Sequence, residues 1–282
     1  MNSIHDLDDA IDRWFREDIG DGDHTTYSTI PFDISGSAKL LAKEKGVVAG
    51  VELAERIFHR FDRALQVDLL VEDGALITPG NVVLKVSGNV HSILQCERLV
   101  LNVMQRMSGI ATNTRSYVQL LEGTNTRILD TRKTTPGFRL LEKVAVRLGG
   151  GINHRFGLHD MILIKDNHVD FAGGITEAIQ GTKAYLQEKN LDLEIVVETR
   201  TLEDIEKVLS IGGIKRILLD NFSLEETRKA VALIDGQVET ESSGGITKET
   251  IRSYAECGVD YISVGALTHQ IESLDLSLKA DF

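Results

Sequence analysis

The chain has 282 residues with 31 Lys/Arg against 43 Asp/Glu, a net charge of −12, 42% hydrophobic and 26% charged residues, and two cysteines. That length buries a sizeable core as one large domain or two smaller ones. The acidity argues against duplex nucleic acid, which needs a broad basic face, and no apolar run reaches the roughly 18 residues of a membrane span.

The N-terminus, MNSIHDLDDAIDRW, is acidic where a secretory leader is basic before an apolar core, so a cytoplasmic protein is expected. A helix is predicted over DLDDAIDRWFRED, ending at Gly20, with Trp14 in the core. EDIGDGDHTT lacks the spacing of a calcium loop and is taken as a helix stop and turn. Short apolar pieces follow in GSAKLLAKEKGVVAG and ALITPGNVVLKVSGNV. Pro79-Gly80 and Gly88-Asn89 punctuate them, the pattern of an antiparallel sheet. Residues 1–107 are therefore assigned to an N-terminal α+β domain.

Ser92 and Gln95 fit a capping box opening a buried helix, ILQCERLVLNVMQRM, which Ser108-Gly109 should interrupt before a second helix, IATNTRSYVQLLEG. A regular alternation then begins. Strands are predicted at 127–130, 161–166, 194–199, 216–221, 238–245 and 261–266, with helical segments between most of them, one opened by a Ser223/Glu226 capping box. Near-continuous apolar runs one βα unit apart indicate a parallel sheet covered on both faces. With only six or seven strands, the expectation is an irregular α/β barrel of fewer than eight strands over 108–268. Cys96 and Cys257 each fall in an apparent helix and are expected as buried thiols.

The strands end in Asp130, Lys165-Asp166, Glu198, Asp220, Glu241 and Gly265. A polar residue closing each apolar run marks the C-terminal mouth of a barrel, where active sites lie. Charge concentrates there too: between Arg127 and His168 eight Lys/Arg stand against four acids. Arg132 and Lys133 follow one strand end, and His154-Arg155 follow the glycine run 149–151. Arginine forks match carboxylate or phosphate oxygens, so a small ligand with two such groups is expected. Arg139, Lys143 and Arg147 lie at helical spacing and are expected on a solvated face. Lys165, behind four apolar residues, needs a partner. SSGGIT and SVGALTH are glycine turns at the last two strand ends, where barrels commonly bind phosphate through backbone N–H groups, with Ser243 as a further donor. Glu198 and Asp220 suit Mg²⁺ held jointly with a phosphorylated ligand, or else structural ion pairs.

The strings ERLVLNVMQRMSGIAT, DTRKTTPGFRLLEKVAVRLGGGINHRFGLHDMILIKDNH, ILLDNFS, ESSGGIT and GVDYISVGALTH closely resemble the quinolinate phosphoribosyltransferases, from EDIGDGDHTT to the C-terminus. The resemblance implies conversion of quinolinate and 5-phosphoribosyl-1-pyrophosphate (PRPP) to nicotinate mononucleotide, pyrophosphate and CO₂ with Mg²⁺, a step of NAD synthesis. It implies an N-terminal α/β sandwich, an irregular barrel, and a segment 269–282 that returns to the N-terminal domain. It further implies a homodimer in which Arg98 reaches the neighbouring subunit's site. By the same resemblance Arg132, His154, Arg155 and Lys165 surround the quinolinate carboxylates, with Thr131 and Lys133 alongside. Glu198 and Asp220 lie near ribose and metal, and Ser243, Gly244, Gly245, Ser263 and Gly265 form phosphate turns. Glu194 remains a rival for Glu198, and Lys133 and Lys165 are both candidates to protonate the decarboxylated ring. Three other readings stay open: a class I aldolase forming a Schiff base on Lys165, a non-catalytic phosphosugar-binding barrel, and a relative acting on another pyridine carboxylate.

Overall fold

The structure, a computed structural model, describes residues 4–281. Its elements in chain order are α1 (Ile4–Ile19), α2 (His24–Thr29), β1 (Ser35–Ala42), β2 (Gly46–Val47), α3 (Val51–Phe61), β3 (Gln66–Leu69), β4 (Leu76–Ile77), β5 (Val82–Asn89) and α4 (Val90–Leu120). Next come β6 (Arg127–Leu129), α5 (Arg139–Leu148), β7 (Ile162–Ile164), α6 (Asp166–Ala172), α7 (Ile175–Lys189), β8 (Ile195–Thr199) and α8 (Leu202–Ile211). The chain ends with β9 (Arg216–Asp220), α9 (Leu224–Ile234), β10 (Glu239–Ser243), α10 (Ile251–Ala255), β11 (Tyr261–Ser263), α11 (Ala266–His269) and β12 (Leu276–Ala280). They form two compact units. The first runs to Arg115 and takes in Leu140–Gly150 and the chain from Gln270. The second comprises Ser116–Arg139 and Gly151–His269.

The first unit carries an antiparallel sheet of order β12-β1-β5-β3, so the segment after 269 supplies an edge strand beside β1. Helix α3 buries Val51, Leu53, Ala54, Ile57 and Phe58, spaced so that they share one face. Its N-terminal amides are capped from far along the chain: Gly50, Val51 and Glu52 donate to the Asp73 carboxylate at 2.5, 3.0 and 3.3 Å. Gly50 accommodates the required positive φ of 94°.

Helix α4 departs from expectation twice. It begins at Val90 rather than Ser92, because the Asn89 side chain accepts the Ser92 amide at 3.2 Å while the Ser92 hydroxyl donates to Asp62. It also continues unbroken through Ser108-Gly109. There the pair serves packing: the Ser108 hydroxyl accepts the Ala49 amide at 2.9 Å, and the bare Cα of Gly109 admits the backbone of Glu272 and Ser273. Gly109→Ala tests this. Helix propensity alone favours Ala by about 1 kcal/mol. The new Cβ, however, would overlap the Glu272 carbonyl oxygen and lie 3.1 Å from Ser273 Cα, which is backbone and cannot swing aside. We expect a net loss of about 1–3 kcal/mol in urea denaturation; a stabilised variant would contradict the packing account.

Solvation departs from expectation at Lys143, Arg139 and Trp14. Lys143, expected on a solvated helix face, is 3% exposed on α5, beside the fully buried Glu142 that pairs with Arg106 at 2.6 Å. Arg147 is exposed as expected, whereas Arg139 is half-buried and donates to Thr134 and to the Phe156 carbonyl. Trp14 is half-buried rather than in the core.

In the second unit the six strands form one parallel sheet of order β6-β11-β10-β9-β8-β7. From β7 to β11 each strand lies beside the next in sequence, and helices intervene. β6, first in sequence, lies beside the last. The edges are therefore β6 and β7. Ile152 adds a parallel bridge to Leu129 on the β6 side, and the Arg155 guanidinium donates to the Met161 carbonyl at 3.1 Å, just before β7. β8 is buried along its whole length and β9 for all but its last residue, as strands covered on both faces must be. The Ser223/Glu226 capping box of α9 forms with both reciprocal bonds.

Candidate functional site

The candidate site residues other than Arg98 belong to the second unit, and all of these but Glu194 gather at the C-terminal ends of its strands. Side-by-side residues of a parallel sheet share a face, and successive residues alternate. Glu198 and Glu241 both align with Leu218, and Glu241 aligns with Tyr261, so these four form one layer. Asp220 aligns with Ser243, and both lie two residues further on; Ser263 lies two beyond Tyr261. The strand ends thus stack a layer of Asp220, Ser243 and Ser263 above one of Glu198, Glu241 and Tyr261. Beneath them Arg216, 7% exposed, donates to Glu239 at 3.0 Å and to Glu241 at 2.9 Å and lies 4.0 Å over the Tyr261 ring.

One group of side chains is acidic. Lys165 is the first residue past β7 and the N-cap of α6, not an interior strand position. Its ammonium donates to Glu198 at 3.2 Å, so it has the partner it was expected to need. The other Glu198 oxygen accepts the Asp166 amide at 3.3 Å, and Glu198 is 7% exposed. Burial, and then the charge of Glu198, push the Asp220 pKa up. Glu194 precedes β8 at the opposite end of the strand, more than half exposed and 3.9 Å from Lys215. Of the two rivals, only Glu198 stands with Asp220 and Lys165.

The other group is basic. Arg155 is 8% exposed, and its buried Nε has no hydrogen-bond partner. Burial, and then the nearby charge of Arg132, lower its pKa, with Asp160 opposing weakly. Arg132 and Lys133 are exposed. Thr131 is half-buried, and its hydroxyl accepts the Lys133 amide at 3.0 Å, shaping the turn after β6. His154 is buried, with both ring nitrogens engaged: Nδ1 accepts the Arg155 amide at 2.7 Å and Nε2 lies 3.5 Å from Glu241.

The glycine turns complete the ring. Gly244 has φ 97°, and a Cβ there would come within 2.6 Å of Asn221 Cγ. At Gly265 a Cβ would meet Lys133 Cδ at 2.9 Å and His269 Nε2 at 3.0 Å. Both obstacles at Gly265 are flexible side chains. Gly265→Ala should therefore leave the melting temperature within a few degrees while displacing Lys133, and kcat/KM should fall about tenfold, near one charged hydrogen bond. Unaltered kinetics in a folded variant would detach Lys133 from the site.

Sequence reasoning noted Asp130 and Glu241 as strand ends but gave them no role, and it passed over Asn153 and Arg216. Asp130 is fully buried and accepts the Asn153 side chain at 2.7 Å and the His154 amide at 2.8 Å. Arg98 is exposed on α4, in the first unit.

Comparison with known proteins finds similarity along nearly the whole chain. Residues 23–108 match the N-terminal domain model of the quinolinate phosphoribosyl transferases and residues 110–279 the C-terminal domain model. A chloroplastic nicotinate-nucleotide pyrophosphorylase [carboxylating] of Arabidopsis thaliana is 46% identical, over 98% of this chain and 83% of that protein. A probable nicotinate-nucleotide pyrophosphorylase [carboxylating] of Synechocystis is 41% identical over 97% and 92%. The crystal structure of NadC from Streptococcus pyogenes superposes with a TM-score of 0.93 at 38% identity, over 100% of this chain and 99% of that one. By both domain models and by full-length identity, the chain belongs to the quinolinate phosphoribosyltransferase family.

Proposed function

We propose that the protein transfers the phosphoribosyl group of PRPP to quinolinate with loss of CO₂, giving nicotinate mononucleotide and pyrophosphate for NAD synthesis. The observation that carries this is Arg155: a buried guanidinium with an unpartnered Nε and a second arginine crowding it. Such a group calls for an anion, and quinolinate brings two adjacent carboxylates. Family membership removes the Schiff-base reading of Lys165 and the non-catalytic reading of the barrel.

In the proposed reaction the bond from ribose C1 to pyrophosphate breaks as the pyridine nitrogen of quinolinate approaches. Glu198 and Asp220 hold the ribose and stabilise the positive charge that develops on it. The backbone amides of Gly244, Gly245 and Gly265, with the hydroxyls of Ser243 and Ser263, receive phosphate oxygens. Arg132 and Arg155 orient the carboxylates, with Thr131 shaping the intervening turn. Once the nitrogen is cationic, the 2-carboxylate leaves as CO₂, its electron pair stays on the ring carbon, and a proton is added there. Lys133 and Lys165 are the ammonium groups at the strand ends suited to that delivery.

The acidic group also fits Mg²⁺, a hard cation that takes carboxylate, phosphate and water oxygens. The Asp220 pKa is raised first by burial and then by the charge of Glu198, a repulsion that a cation would relieve. Among the described residues no cluster of three protein ligands is present, so Glu198 and Asp220 would hold the ion together with PRPP and water. When bound it neutralises charge on the pyrophosphate.

The same reading makes the enzyme a homodimer in which Arg98 of each subunit completes the other's site. In support, Arg98 is exposed and lies outside the unit that carries the strand-end residues. Light scattering should return the mass of two chains, and a monomer with full activity would refute it. A cytoplasmic location is supported by two free, buried thiols and by the lack, among the described residues, of any helix long and apolar enough to cross a membrane.

The decisive assay supplies quinolinate, PRPP and Mg²⁺ and measures CO₂ and nicotinate mononucleotide. Both should appear in equal amounts, and nicotinate in place of quinolinate should give little product. Equal turnover of nicotinate would overturn the substrate assignment.

A further inference from the structure

The turn Asn153-His154-Arg155 is held from two sides by fully buried carboxylates to which the reaction chemistry gives no part. On one side Asp130 accepts the Asn153 side chain and the His154 amide at 2.7 and 2.8 Å. On the other stands a line of buried groups. Arg216 Nη1 donates to Glu241 Oε2 at 2.9 Å, and the same oxygen lies 3.5 Å from His154 Nε2. His154 Nδ1 in turn accepts the amide of Arg155 at 2.7 Å. A ring nitrogen that accepts an N–H carries no proton, so in this geometry the His154 proton resides on Nε2 and faces Glu241. Neither nitrogen is left to meet a substrate carboxylate.

We infer that Glu241 is a positioning residue: through the His154 ring it fixes the backbone of Arg155 and hence the direction of the buried guanidinium, with His154 a strut between the two rather than a ligand of quinolinate. The physical need is plain. Arg155 is bound to the protein through its Nη1 donation to the Met161 carbonyl, and a fork must be aimed within a fraction of an ångström to bind a carboxylate bidentately. Glu241 is suited to the task. Burial opposes its ionisation, yet the hydrogen bond and charge of His154, the Ser263 hydroxyl and the charge of Arg216 together hold its pKa below the usual range. The carboxylate therefore stays charged at neutral pH and keeps the imidazole turned one way. The inference rests on Arg155 belonging to the quinolinate site.

The test removes the acceptor without leaving a buried charge alone. Arg216→Met with Glu241→Met replaces the pair by apolar groups of similar size, a change buried ion pairs often tolerate. Steady-state kinetics of the folded double variant should show the quinolinate KM raised about tenfold, the loss of one aimed charged contact, with the PRPP KM within about twofold. Glu241→Gln, whose amide oxygen still accepts from Nε2, should recover most of that loss. Nitrogen-15 spectra of histidine-labelled protein, with the His154 signal identified by its absence in His154→Gln, should show Nδ1 as a hydrogen-bond acceptor and the proton on Nε2 in the wild type. They should show a mixture of tautomers in the double variant. This measurement needs no substrate, so its failure is separate from any failure of the reaction assignment. An unchanged quinolinate KM in a folded double variant, equal rises in both KM values, or a wild-type ring protonated on Nδ1 would each overturn the inference.

Discussion

Arg155→Met should cost quinolinate turnover about a thousandfold in kcat/KM while leaving the melting temperature nearly where it was. The guanidinium is buried, and each hydrogen bond to a charged partner contributes roughly 1.5–3 kcal/mol, so a two-pronged contact accounts for some 3–6 kcal/mol. Stability should move little because two changes offset one another. The bond to the Met161 carbonyl is lost. A buried cation whose pKa is lowered first by desolvation and then by Arg132 is removed as well. Arg132→Ala is the milder companion: the side chain is exposed, so its loss should raise the quinolinate KM and lower kcat/KM about tenfold. Steady-state kinetics with quinolinate varied at saturating PRPP decide both. If Arg155→Met keeps wild-type kcat/KM, the carboxylate site lies elsewhere.

The second large effect is expected for Glu198→Gln, in both rate and pH dependence. Glu198 receives Lys165 and the Asp166 amide and adds its charge to the burial that raises the Asp220 pKa. Gln keeps the shape but loses the charge, so kcat should fall at least about a hundredfold, in the range of losing one electrostatic stabiliser of the transition state. The residual activity should carry a displaced acid limb. Asp220 serves as an anion, and its raised pKa means activity is lost as pH falls through that raised value. Without Glu198 the largest charge contribution to the rise disappears, so the limb should move to lower pH in the variant. A limb that stays put, or moves up, would show that Asp220 is not the group titrating.

Much of this molecule is legible in its residues. Most of the parallel strands could be placed because buried parallel strands are rich in apolar residues and end where the chain meets the polar mouth, as at Ile164-Lys165 and Leu219-Asp220. β10, by contrast, has no apolar residue and was placed by its spacing from its neighbours and the glycine turn that follows it. The α9 cap was visible because Ser223 and Glu226 are local partners three residues apart. The long strings around Arg132, His154 and Lys165 were specific enough to point to the family that the domain models and full-length relatives then established.

What failed did so where a residue's partner is distant along the chain. Ser108-Gly109 looks like a helix break, yet in α4 the pair accepts Ala49 and makes room for Glu272. Lys143 has the spacing of a solvated face but is buried beside Glu142, whose partner is Arg106 on another helix. Glu198 and Glu194 are equivalent as letters; only strand register puts one with Asp220 and the other near Lys215 at the far end.

Periodicity and local capping are properties of a few neighbouring residues, so the sequence by itself determined the element types, the parallel sheet and the chemical character of its mouth. Burial, charge pairing and the aim of a side chain are set by groups brought together from tens or hundreds of residues away. For that reason only the tertiary structure decided that Arg155 is a desolvated, unsatisfied fork, that Asp220 is a crowded carboxylate, and that Glu241 rather than a substrate faces His154.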